Sequence, residues 1–280
     1  MMKRICLLSC VFLLIAAALF PAGAQEVEGG VERCESLKYG IRGVVAIETL
    51  NQSQGGFGGA FVNSSMTGVS LIGAFAEYKG WELNVEGGYR YLSGELAYKF
   101  HNNWAALLGG SRGNHDVDFN FYDSDYFYNY NWGESWVDKY YVGGGYHNSL
   151  NRLKLKADGL LGFVKMSEVE STSIKNRYES DGLVNKRFLS RNKTELSPSF
   201  VWGINLYLEL LPRESKNRLT PLVPFVEWRG LFNSRSNTSQ SVQIEEWVLG
   251  NVVYQESAEN KKLSIDYNMV RFGLKWYFKY

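Results

Sequence analysis

Residues able to do acid–base chemistry are few in this 280-residue chain, which has three histidines. His115 sits in the run NHDVD, beside Asp116 and Asp118. A histidine among carboxylates has the groups that proton transfer needs, provided they converge in space. His101 falls in a short polar turn and His147 at a strand end, both away from the segment that carries His115. Ser111, four residues before His115, is a candidate hydroxyl for a nucleophile–base pair. Nothing in the spacing separates that pair from chance, so no catalytic residue is assigned. The stretch DFNFYDSDYFYNYNWGESW (118–136) interleaves aromatics with acids. Tyr122, Asp123, Asp125, Tyr126 and Trp132 suit stacking on a sugar or loose calcium binding. The commoner use of such a stretch is a hairpin held by aromatic cross-strand pairs. No metal site and no cofactor is assigned.

The elements that must position these residues are strands, because the sequence alternates with a period of two. At the C-terminal end Val270, Phe272, Leu274, Trp276 and Phe278 share one face, and Arg271, Gly273, Lys275 and Tyr277 the other. Leu92 to Phe100, Trp81 to Tyr89, Leu153 to Phe163, Leu196 to Leu208 and Tyr39 to Ile47 alternate in the same way. The greasy faces run nine residues or more, against the five or six of an ordinary globular strand. Nine to eleven residues is what a tilted strand needs to cross a bilayer. Ten strands are expected, over 38–50, 66–78, 81–89, 91–100, 104–116, 137–147, 153–165, 195–210, 219–233 and 263–278. Eight or twelve remain open, because 51–78 alternates poorly. A change of phase between Tyr89 and Leu92 calls for a tight turn or a bulge, and 241–257 reads as an extended hairpin.

The remaining composition fits an exported all-β chain. MMKR, the apolar run Ile5 to Phe20 and Ala22-Gly23-Ala24 read as a signal peptide over 1–24, leaving Gln25 first. Cleavage at LLSC before Cys10 would leave too little apolar core ahead of it, and a spanning anchor would need a longer run. Residues 25–37 then form a periplasmic lead, and Cys34 is the one cysteine left, so no internal disulfide forms. Glycine (29), tyrosine (18), phenylalanine (16) and tryptophan (8) are plentiful and proline (5) is scarce, as strands and turns require. A formal charge of +1 gives no sign of a nucleic-acid partner. Mean hydropathy is −0.24, and no long apolar run follows the cleavage site, which excludes a helical membrane protein.

A closed sheet with its greasy side outward solves the problem of backbone polar groups in lipid. The sequence resembles the bacterial outer-membrane β-barrel proteins. Arg271, Gly273, Trp276 and Phe278 in RFGLKWYF look like the C-terminal assembly signal of that class, here extended by Lys279 and Tyr280. YLSGELAYKFHNNWAALLGG (91–110) and YYVGGGYHNSLNRLKLKADGLLG (140–162) look like its strand–short turn–strand hairpins. The resemblance implies an antiparallel up-and-down barrel over 38–280 in the cell outer membrane. Both termini would be periplasmic, turns short on that side and loops long on the other. It also implies lipid as surroundings and the barrel-assembly machinery as a transient partner.

Omptin-type proteases of this class use paired aspartates and an Asp–His pair at the rim, which invites comparison with NHDVD. No Asp-x-His occurs in a later loop, and the comparison fails there. Outer-membrane lipid hydrolases would need Ser111 and His115 as a pair. The inner face is expected to carry Arg42, Glu82, Glu86, Glu95, Lys99, Lys154, Lys156, Asp158, Glu227, Arg229, Arg271 and Lys275. Two signs in similar number suit a lumen filled by its own side chains. The expectation is therefore a non-enzymatic surface or interaction protein acting through its outer loops on an unspecified ligand. The alternative is a small, low-conductance pore for polar solutes, and an enzyme comes third.

Overall fold

Alternation of apolar and polar residues closes into a wall. The computed structural model describes residues 37–53, 61–100, 103–120, 131–150, 152–178, 184–211, 222–233, 238–248, 251–260 and 264–279. The strands are β1 (Lys38–Ser53), β2 (Phe61–Tyr78), β3 (Trp81–Gly88), β4 (Tyr91–Lys99), β5 (Trp104–Asn120) and β6 (Asn131–Leu150). They continue as β7 (Leu153–Tyr178), β8 (Val184–Leu210), β9 (Leu222–Asn233), β10 (Thr238–Val248), β11 (Asn251–Asn260) and β12 (Ser264–Lys279). Neighbours along the chain pair antiparallel from β1 to β9, β9 pairs β12, and β12 returns to β1. The result is a closed barrel.

Twelve strand segments make ten staves. β8 pairs β9 over Trp202–Glu209 and β10 over Lys186–Leu196, so β9 and β10 are successive parts of one outward run. β11 pairs β10 above the level at which β12 pairs β9. This hairpin, with the outer halves of β7 and β8, carries the wall well beyond the apolar band. β3 and β4 are the short staves. Their turn at Tyr89–Arg90 accounts for the phase change seen in the sequence, and the Asn114 amide caps it by donating to the Arg90 carbonyl at 2.8 Å. Beyond it β2 pairs directly with β5, from Phe61↔Asn120 to Ser65↔Asp116.

The short turns gather at the end that holds β1's start and β12's finish. Lys79 and Gly80 both have positive φ, 47° and 83°, as a two-residue hairpin turn requires. At this end the outward aromatics pair across strands. Trp81 and Tyr98 lie 4.6 Å apart, Trp104 and Tyr146 6.1 Å, and Tyr39 and Phe278 6.1 Å between ring centroids. About ten residues further out Phe163 meets Phe200 at 5.9 Å and Trp202 meets Phe232 at 5.5 Å. Between these two girdles the outward positions are apolar, among them Leu108, Val142, Leu161, Ile204, Val226 and Leu274. That is a lipid-facing belt.

Part of the stretch 118–136 is strand, as the hairpin reading expects: residues 118–120 belong to β5 and 131–136 to β6, with Asp118 opposite Trp132. Tyr122, Asp123, Asp125 and Tyr126 lie outside the described residues, as do the signal peptide, residues 25–36 and His101. Leu196, expected on the lipid face with Phe200 and Trp202, is buried in the lumen. The register of β7 on β8 shifts on both sides of Met166, and these bulges turn Leu196 inward.

Candidate functional site

The inward side chains form ionic layers stacked from the periplasmic mouth outward. Innermost, Lys154 bridges Glu77 at 2.9 Å and Glu82 at 3.0 Å, and Lys156 reaches Glu82 at 2.5 Å. Lys275 pairs with Glu209 at 2.7 Å, and the Tyr277 hydroxyl donates to the same carboxylate at 2.8 Å. Strand parity explains the convergence, since each of these residues alternates with an outward apolar neighbour.

The middle layer is built around arginines. Arg42 and Arg271, from neighbouring strands β1 and β12, both pair with Glu86 of β3. Arg271 also meets Glu227 at 3.1 Å, and Arg229 joins Glu227 and Glu95 at 2.6 Å each. The Tyr141 hydroxyl donates to Glu95 at 3.0 Å, while the Arg229 guanidinium lies 4.2 Å from its ring. Beside them His147 contacts Asp158 at 2.7 Å, and Asn205 donates to that aspartate at 3.1 Å. Planar guanidinium groups suit this, because each can serve several carboxylates at once.

The outer layer is Glu48, which pairs with Lys139 and lies 3.2 Å from His115 Nε2. Lys139 also donates to the Tyr267 hydroxyl at 3.2 Å. The next inward position further out on each of these strands is apolar: Leu50, Val117, Val137 and Ile265, all buried. They join Met166 and Leu196 in a hydrophobic cluster that stands between the ionic layers and the outer mouth. The space left beside Arg42, Glu82, Glu95, Tyr141, Lys156 and Arg271 is about 20 Å³. That is room for about one water molecule.

Of the twelve residues expected inside, eleven point inward and take part in this network. Lys99 does not. It is the last residue of β4 and is exposed at the periplasmic mouth, beyond the innermost layer. The rim histidine is also displaced. His115 is fully buried against Glu48, and Ser111 lies four residues away on the same strand. Four residues of strand span about 13 Å, too far for the pair to share a proton. Glu77 and Lys139 went unassigned in the sequence, and Glu48 and Glu209, which alternation places on the polar faces of their strands, were not among the twelve. Parity held the signal for Lys139, whose neighbours Tyr140 and Val142 are outward.

Outer charges sit in mixed pairs. Arg90 meets Glu134 at 2.8 Å and Asp116 at 3.5 Å, and Arg112 meets Asp138 at 3.5 Å. Lys193 lies 2.8 Å from Glu168, whose hydrogen bond holds the ammonium above its ordinary pKa. Being exposed, such pairs contribute little stability. Among the described residues no cluster of histidine, cysteine, aspartate or glutamate is placed to hold a metal ion.

No protein-family model and no curated protein matches the sequence. Solved structures do. The outer membrane protease OmpT from Escherichia coli is 11% identical over 90% of this chain and 99% of its own, with a TM-score of 0.46. The β domain of the Bordetella autotransporter BrkA is 11% identical over 86% of this chain and 99% of its own, at 0.33. The translocator domain of NalP from Neisseria meningitidis is 8% identical over 95% of this chain and 94% of its own, at 0.22. The expectation of a non-enzymatic barrel is corrected by the first of these. A chain of similar fold is a protease, so the fold class does not exclude catalysis, although at this identity no residue role is carried over. Lipid demands a closed wall with an apolar outside, and this chain meets that demand as a closed antiparallel β-barrel of ten staves, similar in fold to these outer-membrane barrels.

Proposed function

We propose that the protein is a surface protein of the outer membrane whose lumen is closed and whose work is done by the wall and loops beyond the outer girdle. The observation that carries this reading is the filling of the lumen. Three ionic layers and an apolar one lie across the axis, and the cavity beside Arg42 and Arg271 is about 20 Å³. Layers packed in this way oppose the passage of a hydrated solute. What remains accessible to a partner is the outer extension built by β5 to β8, β10 and β11. The signal peptide over 1–24 would deliver the chain to the periplasm, and the assembly machinery would read Arg271, Gly273, Trp276 and Phe278 on the last strand.

Two measurements test this. Full-length protein refolded into a planar bilayer should stay silent while its gel band shows the heat shift of a folded barrel. Steady, reproducible current steps would replace the closed lumen by a pore. An epitope inserted between Asp125 and Tyr126 should be labelled by antibody on intact cells. Labelling only after permeabilisation would remove the surface assignment.

A further inference from the structure

The two ends of the barrel differ in the company their charges keep. Every exposed carboxylate among the described residues lies at or beyond the outer girdle: Asp116, Glu134, Glu168, Glu170 and Asp266. Of the outer cations, Arg90, Arg112 and Lys193 are paired with acids, and Lys165 stands opposite Asp138 in the ladder. At the periplasmic end the exposed charges among the described residues are Lys79, Lys99 and Arg152, all positive. None of these three has an ion-pair partner among the described residues.

Their placement is regular. Lys79 is in the β2–β3 turn, Lys99 ends β4, and Arg152 is in the β6–β7 turn, so three successive periplasmic connections each present a cation. The backbone fixes these positions. The Lys99 amide donates to the Gly80 carbonyl at 2.8 Å, and the Leu211 amide to the Arg152 carbonyl at 2.6 Å. Each cation adjoins the lipid-facing belt. The Lys79 ammonium lies 5.4 Å from the Tyr78 ring centre, Lys99 stands between outward Tyr98 and Phe100, and Arg152 between outward Leu150 and Leu153. Aromatic and aliphatic side chains at the edge of such a belt sit at headgroup depth.

We propose that this rim binds the phosphate groups of anionic phospholipids in the inner leaflet of the outer membrane, through Lys79, Lys99 and Arg152. The spacing favours a lipid surface over one small anion. Successive turns are two strands apart, about 10 Å, so the cations cannot close on a single phosphate but can each meet a separate headgroup in the membrane plane. Exposed, and without an ion-pair partner among the described residues, they add their attraction to a negative surface, about fivefold in binding per cation before screening.

The test is lipid retention. Full-length protein is refolded in nanodiscs of equal phosphatidylglycerol and phosphatidylcholine, extracted, and weighed by native mass spectrometry. Wild type should keep phosphatidylglycerol about tenfold over phosphatidylcholine, and 0.5 M salt should reduce the preference, as screening requires (about tenfold from three partly screened charges). K79Q/K99Q/R152Q should bring the ratio near unity with the heat-shifted band intact. R112Q/K165Q, on the outer part of the wall, should leave it unchanged. Equal retention by wild type and the triple variant, or loss of preference only in the outer variant, would overturn the proposal. Should the triple variant fail to fold, the three single variants and the salt series on wild type decide it. A wild-type ratio near unity at low salt would end the proposal.

Discussion

Glu48→Ala should lower the unfolding free energy of the lipid-embedded barrel by about 3–5 kcal/mol, the cost of removing one partner from a buried ion pair. Lys139 is 1% exposed and would keep only the Tyr267 hydroxyl and the faces of the Tyr91 and Tyr267 rings, 5.7 and 4.6 Å from its ammonium. His115, fully buried, would lose the same carboxylate. The charge cannot escape outward, because Leu50, Val117, Val137 and Ile265 occupy the next positions on the strands. The effect should belong to the stranded charge and not to the side-chain volume. Glu48→Leu with Lys139→Met, which extends the apolar cluster inward by one layer, should therefore recover most of the loss. Urea unfolding of refolded protein in vesicles measures both. A double variant as unstable as the sum of its single changes would show that the outer ionic layer is not a charge pair in the energetic sense.

That layer also marks the limit of what the sequence reveals. Membrane-spanning strands were legible wherever one face met lipid and the other did not, as in Leu153 to Phe163 against Lys154, Lys156 and Asp158. The staves grow beyond that. Ser171–Tyr178 of β7 and the whole of β10 lie beyond the outer girdle, and their sequences STSIKNRY and TSQSVQIEEWV lack the apolar–polar contrast that marks a lipid-facing strand. Which charges meet is a different matter from which face they share. Glu48 and Lys139 are 91 residues apart, and Arg229 and Glu95 are 134 apart. Their meeting depends on barrel closure and strand stagger, and parity alone fixes neither. Leu196 shows the local version of the same limit. A bulge near Met166 reverses parity without leaving a mark in the pattern of β8. Lys99 fails for a simpler reason. It has inward parity, but parity says nothing of depth, and at the mouth an inward residue meets water.

Gly273→Val should reduce assembled protein about 5- to 150-fold, the equivalent of the 1–3 kcal/mol of an overpacked site. β12 lies between β1 and β9, so Gly273 sits at the seam that closes the barrel, opposite Val44 on one side and Phe225 on the other. A Cβ there would overlap the carbonyl oxygen of Gly43 and lie 2.9 Å from the Phe225 ring. The ring can turn, but the carbonyl is part of the ladder, and moving it breaks pairing in a place where lipid offers no replacement. Gly43 supplies the control. It belongs to the facing strand, opposite Leu274, and a Cβ on it would meet nothing within 4 Å. Gly43→Val should therefore assemble at close to the wild-type level. Both variants are compared twice, by the heat-shifted band in cells and by refolding into vesicles without any cellular machinery. Steric exclusion at the seam predicts that Gly273→Val fails in both settings. Failure in cells alone would move the cause from the wall to the machinery that reads the last strand, and equal assembly of the two variants would remove the steric argument altogether.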